Sequence, residues 1–156
     1  MVGLAAFLAM CFGAAGVGSL FTAPAIPTWY TGLAKPSWTP PSWVFGPVWS
    51  LLYLAMAIAA WMVWRRGARA ALSALALFGV QLALNVAWSA TFFGLRMPGA
   101  AFGVIVALWL FILATLIAFR RRSLASAILM APYLAWVSFA AALNFAVWRM
   151  NPRSPA

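Results

Sequence analysis

The sequence predicts an all-α membrane protein, a bundle of five transmembrane helices with a Pro/Trp-rich first loop as its lid. Composition is the first reason. Of 156 residues, 67% are hydrophobic and only 6% are charged, whereas a soluble domain is about half apolar and about a quarter charged. So few charges cannot clothe a water-facing surface. The second reason is segmentation. Apolar stretches fall at about 2–23, 43–64, 70–93, 99–119 and 124–148, each near the roughly 20 residues that span a hydrocarbon core about 30 Å thick. The third is the placing of charge, because the basic residues sit in short groups between those stretches. In lipid only a helix or a closed barrel satisfies every backbone N–H and C=O, and the alternating, turn-punctuated pattern of a membrane barrel is not seen.

The first stretch has the length of a span and lacks the basic start of a leader peptide, so it is read as a helix. The link after it, residues 24–42, is long and rich in Pro and Trp. Its segment 35–43, KPSWTPPSW, cannot be helical throughout, because proline lacks a donor and restricts the residue before it. It is predicted to lie across the bundle mouth as a semi-rigid lid. In the second stretch Pro47 falls in the first turns, where proline is tolerated. The remaining links are short: Arg65, Arg66, Gly67 and Arg69, then Leu95, Arg96, Met97 and Pro98, then Arg120, Arg121, Arg122 and Ser123. Short links predict antiparallel neighbours in an up-down bundle, one unit over 1–156. The fourth stretch, almost without polar residues apart from Thr115, is expected to face lipid.

Five spans put the termini on opposite sides. Arg65, Arg66, Arg69 and Arg120 to Arg122 fall on the N-terminal side; Lys35, Arg96, Arg149 and Arg153 fall on the other. The positive-inside rule then predicts a cytoplasmic N-terminus and a lid on the outer face, and the short N-terminus and brevity of the chain favour a bacterial cell membrane.

The chain contains no Asp, no Glu and no His. That excludes paired-carboxylate hydrolysis, Ser-His-Asp and Cys-His nucleophilic catalysis, a carboxylate cage for a hard cation, an imidazole-based transition-metal site and a carboxylate or histidine proton relay. No metal and no cofactor is expected. Cys11 is alone, so no intramolecular disulfide forms. The net charge of +10 marks topology rather than nucleic-acid binding.

Ten tryptophans are the other anomaly. Trp29, Tyr30, Trp38, Trp43, Trp61, Trp64 and Trp148 lie at span ends or in the lid and read as interface anchors. Three deeper stripes mix rings with polar groups at helical spacing. Trp49 and Tyr53 share a face of the second span. Gln81, Asn85 and Trp88, with Ser89, share one of the third. Tyr133, Trp136, Ala140 and Asn144 share one of the fifth. Polar side chains inside a membrane face partners or a cavity. The stripes therefore read either as helix-to-helix hydrogen bonding or as the wall of a pocket for a flat, largely apolar ligand. Gly79, Ala83 and Ala87 form a small-residue ridge on the third span, and Gly99 with Gly103 a second on the fourth. Such ridges serve close packing within the chain or a homodimer interface.

Several longer strings resemble one family. Residues 29–41, WYTGLAKPSWTPP, are similar to the first-loop signature of the tryptophan-rich sensory protein/translocator protein family (TspO/MBR, the peripheral-type benzodiazepine receptors), and residues 43–53, WVFGPVWSLLY, to its second helix. Residues 81–85, QLALN, with 92–94, FFG, resemble its third helix. Residues 132–136, PYLAW, with 143–145, LNF, and Trp148-Arg149, resemble its fifth. The resemblance implies a five-helix bundle binding porphyrins beneath the first loop, and in some members cholesterol and benzodiazepine-type drugs. It implies a ligand site at Trp38, Trp49, Tyr53, Asn85, Trp88, Tyr133, Trp136, Ala140 and Asn144, and a homodimer packed through the third helix. It also raises a light- and oxygen-dependent breakdown of porphyrin with Trp49 and Trp136 as catalytic residues, and a tetrapyrrole or lipid transporter. Phe145 stands where the sterol-recognition pattern of animal members has tyrosine, and Lys35 and Arg149 are candidates to meet porphyrin propionates.

Overall fold

The computed structural model describes residues 2–152; Arg153 of the charge reading lies outside them. Five helices make up the bundle: α1 Val2–Ala25, α2 Phe45–Trp64, α3 Ala68–Ser89, α4 Pro98–Arg120 and α5 Leu124–Met150. Among the described residues there is no strand, and all five helices are long and apolar enough to cross a membrane. Their ends fall within a few residues of the stretches read from sequence.

Local chemistry sets those ends. Gly67 takes φ +128°, a conformation L side chains rarely adopt, and lets α2 turn into α3. Pro98 opens α4, where the lost N–H has no partner to miss. Ser123 caps α5, its hydroxyl accepting from the Ser126 N–H at 3.3 Å. After Ser89 the third helix widens into a π-helical turn, Ala90–Gly94, with the Leu95 N–H donating to the Ala90 carbonyl at 2.8 Å.

The helices pack as a ring in the order α1, α2, α5, α4, α3, back to α1. Although a short link joins α2 to α3, α2 packs chiefly on α1 and α5 and touches α3 more lightly. The core at the arginine-loop end is apolar: Phe78 stacks on Phe119 with ring centroids 5.9 Å apart, among Met56, Val63 and Ile112. The expectation that α4 faces lipid holds for one face only. Val106, Leu110 and Ile117 are exposed, while Ala101, Ile105, Leu108, Ile112, Thr115 and Phe119 are buried against α3 and α5. Thr115 satisfies its hydroxyl on the Phe111 carbonyl.

The small-residue ridges divide residue by residue, and Gly103, like Gly79, is exposed with nothing within 4 Å of an added Cβ. Gly99 lies under the Trp148 indole, where an added Cβ would sit 2.8 Å from Nε1, so it serves packing between α4 and α5. Gly79 and Ala83 are exposed and Ala87 half-buried, and nothing lies within 4 Å of a Cβ built at Gly79. Among the described residues, packing leaves Gly79 and Ala83 open and covers Ala87 in part.

Phe78→Ala should leave a void that lipid cannot fill. The cavity contribution alone predicts a loss of about 2 kcal/mol, read as a lowered unfolding midpoint in detergent with helix content unchanged before the transition.

Candidate ligand cavity beneath the first loop

The lid begins where α1 ends. Residues 26–44 carry two single 3-10 turns, Tyr30–Gly32 and Ser42–Val44, and otherwise run without regular structure, as their prolines require. Aromatic contacts fix the lid to the bundle. Trp29 meets Phe92 edge-on at 5.6 Å, Tyr30 meets Phe93 at 5.7 Å, and Trp38 meets Phe139 at 5.7 Å. The π-helical turn supplies Phe92 and Phe93, and α5 supplies Phe139. Asn151, just past α5, clasps the lid backbone: its Oδ1 accepts from the Ala34 N–H at 3.1 Å and its Nδ2 donates to the Ala34 carbonyl at 2.9 Å. Tyr30, read from sequence as an interface anchor, is buried instead as the centre of this cluster.

Lys35 is not free to meet a ligand carboxylate. Its ammonium donates to the carbonyls of Tyr30, Thr31 and Leu33 at 2.7, 3.2 and 2.8 Å and lies 4.9 Å from the Tyr30 ring centroid. Those carbonyls use all three of its donors. Burial lowers its pKa below the ordinary lysine value. Lys35 holds the lid's shape.

Under the lid is a cavity of about 490 Å³. Its back wall comes from α3 and α5: Asn85, Ser89 and Phe92, with Ala140, Leu143 and Asn144, are all buried. Its front wall comes from α1 and α2, and there the lining is exposed: Phe12, Ser19 and Ala23 on one side, Trp43, Gly46 and Ser50 on the other. The cavity therefore opens sideways between α1 and α2 near the lid. Towards the arginine-loop end the same seam is closed by Phe7 against Trp64, 6.5 Å apart. Among the described residues no charged side chain lines the cavity.

Its two amides are already committed. The Tyr53 hydroxyl donates to Asn85 Oδ1 at 2.6 Å, and Asn85 Nδ2 donates to the Tyr133 hydroxyl at 2.9 Å, joining α2, α3 and α5. Trp88 Nε1 donates to Asn144 Oδ1 at 3.0 Å, and Asn144 Nδ2 to the Pro98 carbonyl at 2.7 Å, joining α3, α5 and α4. Each stripe thus carries hydrogen bonds between helices and also contributes residues to the cavity wall. Gln81 lies deeper, outside the cavity wall, with Nε2 3.9 Å from Met56 Sδ.

Of the nine expected ligand-site residues, Trp49, Tyr53, Asn85, Trp88, Ala140 and Asn144 line this one cavity. Three do not. Tyr133 is fully buried behind Asn85, with Trp49 packed on its ring at 6.1 Å. Trp136 is separated from the cavity by Phe45, whose ring meets it edge-on at 5.9 Å, and its Nε1 is buried without a protein partner. Trp38 sits outside, half-exposed on Phe139. Sequence reasoning missed the whole α1 wall, Phe12, Ala15, Gly18, Ser19, Thr22 and Ala23, as well as Tyr30, Phe45, Phe92 and Phe93. The α1 signal was a stripe of small residues at positions 15, 18, 19 and 22, lost in a helix full of Ala and Gly.

This lid, mouth and paired-amide wall belong to a chain whose residues 6–149 match the sequence profile of the TspO/MBR family. The chain belongs to that family. It is 42% identical to the tryptophan-rich protein TspO of Chlorobaculum tepidum over 96% of each chain. It is 44% identical to a protein of the same name from Archaeoglobus fulgidus over 86% of this chain and 87% of that one. With the human translocator protein it shares 44% identity over 86% of this chain and 82% of that one.

Asn85→Leu should strand two tyrosine hydroxyls away from water. Inter-helical hydrogen bonds in membranes give about 1–2 kcal/mol, so a loss of that size is expected in detergent unfolding. Tyr53→Phe, which removes one bond and leaves Asn85 its other partner, should cost less. Equal stability of Asn85→Leu and the parent would show that the amide is no strut.

Proposed function

We propose that this protein is a membrane receptor for a flat, largely apolar ligand, with tetrapyrroles such as protoporphyrin IX as the ligand class. One observation carries the reading: an uncharged, aromatic-walled cavity that opens between α1 and α2 towards the bilayer. Its volume of about 490 Å³ lies within the roughly 300–1,000 Å³ of small-molecule sites. A planar ring would stack against Trp49, Trp88 and Phe92, while polar substituents would stay at the mouth beside Ser42 and Ser50. Family membership supports a sensory role, since one relative, 38% identical, is named tryptophan-rich sensory protein. The exposed face of Gly79, Ala83 and Ala87 is the proposed homodimer contact, and the six arginines favour a cytoplasmic N-terminus with the lid outside.

A second reading is light-driven porphyrin breakdown. Trp49 favours it, since an indole in the cavity wall can donate an electron to an excited ligand without any acid, base or metal. Dissolved oxygen is the oxidant this reading requires: it takes the electron from the reduced ring, and the reduced oxygen then attacks the porphyrin. Trp136 stands one ring removed, behind Phe45.

Titrating the detergent-purified protein in the dark with protoporphyrin IX and with its dimethyl ester, by tryptophan quenching, tests both the class and the uncharged wall. Saturable binding of both is expected, the ester at least as tight as the diacid. Diacid binding tenfold tighter than the ester would require a cation in the site and contradict this reading; binding of neither removes the tetrapyrrole. Illumination then separates the two readings. A protein-dependent product lost in Trp49→Phe and kept in Trp136→Phe supports the enzyme, and no product leaves the receptor.

A further inference from the structure

Two loops at the end of the bundle away from the lid are held together against their own charge. The α2–α3 link carries Arg65 and Arg66, with Arg69 in the first turn of α3, and the end of α4 and its link to α5 carry Arg120, Arg121 and Arg122. Arg66 Nη1 donates to the Arg122 carbonyl at 2.6 Å, so the loops touch. All six arginines are exposed. The chain has no Asp or Glu, so no carboxylate within it offsets them. Helices α1, α3 and α5 begin at this face while α2 and α4 end there beside Arg65 and Arg121, so the helix dipoles offset the arginine charge only in part. The preference for positive charge on one side of a membrane accounts for the residue type, but it does not require two such loops to dock on each other.

The depth of the cluster identifies its counter-ion. The Arg65 guanidinium lies over the Trp61 ring, 4.7 Å from its centroid, and Trp64 is exposed one residue before it. Indoles settle at the headgroup layer, so the guanidiniums lie where phospholipid phosphates lie. Arg66 uses one donor on the Arg122 carbonyl and keeps the others of its planar fork, the shape that grips a phosphate through two bonds. We propose that this face is a binding site for anionic phospholipid headgroups, whose phosphodiesters bridge the α2–α3 and α4–α5 loops.

The test follows thermal unfolding of the protein in a neutral detergent during titration with phosphatidylglycerol, phosphatidylcholine or inorganic phosphate at matched ionic strength. Phosphatidylglycerol should raise the midpoint saturably by about 5 °C and the other two by much less. The rise should fall by more than half in Arg120→Gln/Arg122→Gln, which leaves the Arg122 carbonyl and its bond from Arg66 in place. It should also vanish for the parent protein at roughly 1 M salt, where charges are screened beyond about 3 Å; that arm serves if the variant fails to fold. An equal rise with phosphatidylcholine, an equal rise with free phosphate, or a rise indifferent to both salt and the arginines would overturn the proposal.

Discussion

Asn85 holds three helices together by two bonds, and much of the lid-side half of the bundle depends on it. With no carboxylate or imidazole in the chain, ion pairs are not available to tie the spans to one another. Neutral amides take that role, Asn85 between Tyr53 and Tyr133 and Asn144 between Trp88 and the Pro98 carbonyl. In hydrocarbon an amide left unpaired is costly, so each bond is directional and fixes the register of its helix. A consequence for the site follows. Because the amides point their donors and acceptors at protein partners, the cavity they border presents mainly aromatic surface. Its polarity is low even though two asparagines line it.

The charges are divided with equal economy. Lys35 spends its ammonium on the lid's own carbonyls, and the six arginines of the α2–α3 and α4–α5 loops sit at the opposite end of the bundle. What remains between is a cavity with no charged side chain, walled by four helices and roofed by a loop that Asn151 clasps. The cavity's exposed lining lies between α1 and α2, on the side of the bundle and not through the lid.

The spans were legible because hydrocarbon permits few solutions: a run of roughly 20 apolar residues must be a helix. The walls of α2, α3 and α5 were legible because Trp, Tyr and Asn stand out in an apolar sequence and repeat at helical spacing. The α1 wall was not, since Ala15, Gly18 and Ser19 look like every other small residue of that helix, and only the cavity formed in the folded bundle gives them a role. Trp136 shows a different limit. Spacing places it on the same stripe as Ala140, and that is its face, but Phe45 from the start of α2 stands between it and the cavity. Helical periodicity says which way a residue points and not what intervenes. The carbonyl cage around Lys35 had no sequence signal either, because its acceptors are backbone atoms.

The claim on which the functional reading turns is that ligand enters this cavity rather than a surface groove. Ala15 lines it from α1, so Ala15→Trp would fill the space while leaving both amide struts intact. Protoporphyrin binding measured on that variant is the most direct test. The structure predicts that saturable quenching is lost while the unfolding midpoint stays within a few degrees of the parent. Undiminished binding by a stably folded Ala15→Trp protein would place the ligand elsewhere and contradict the account.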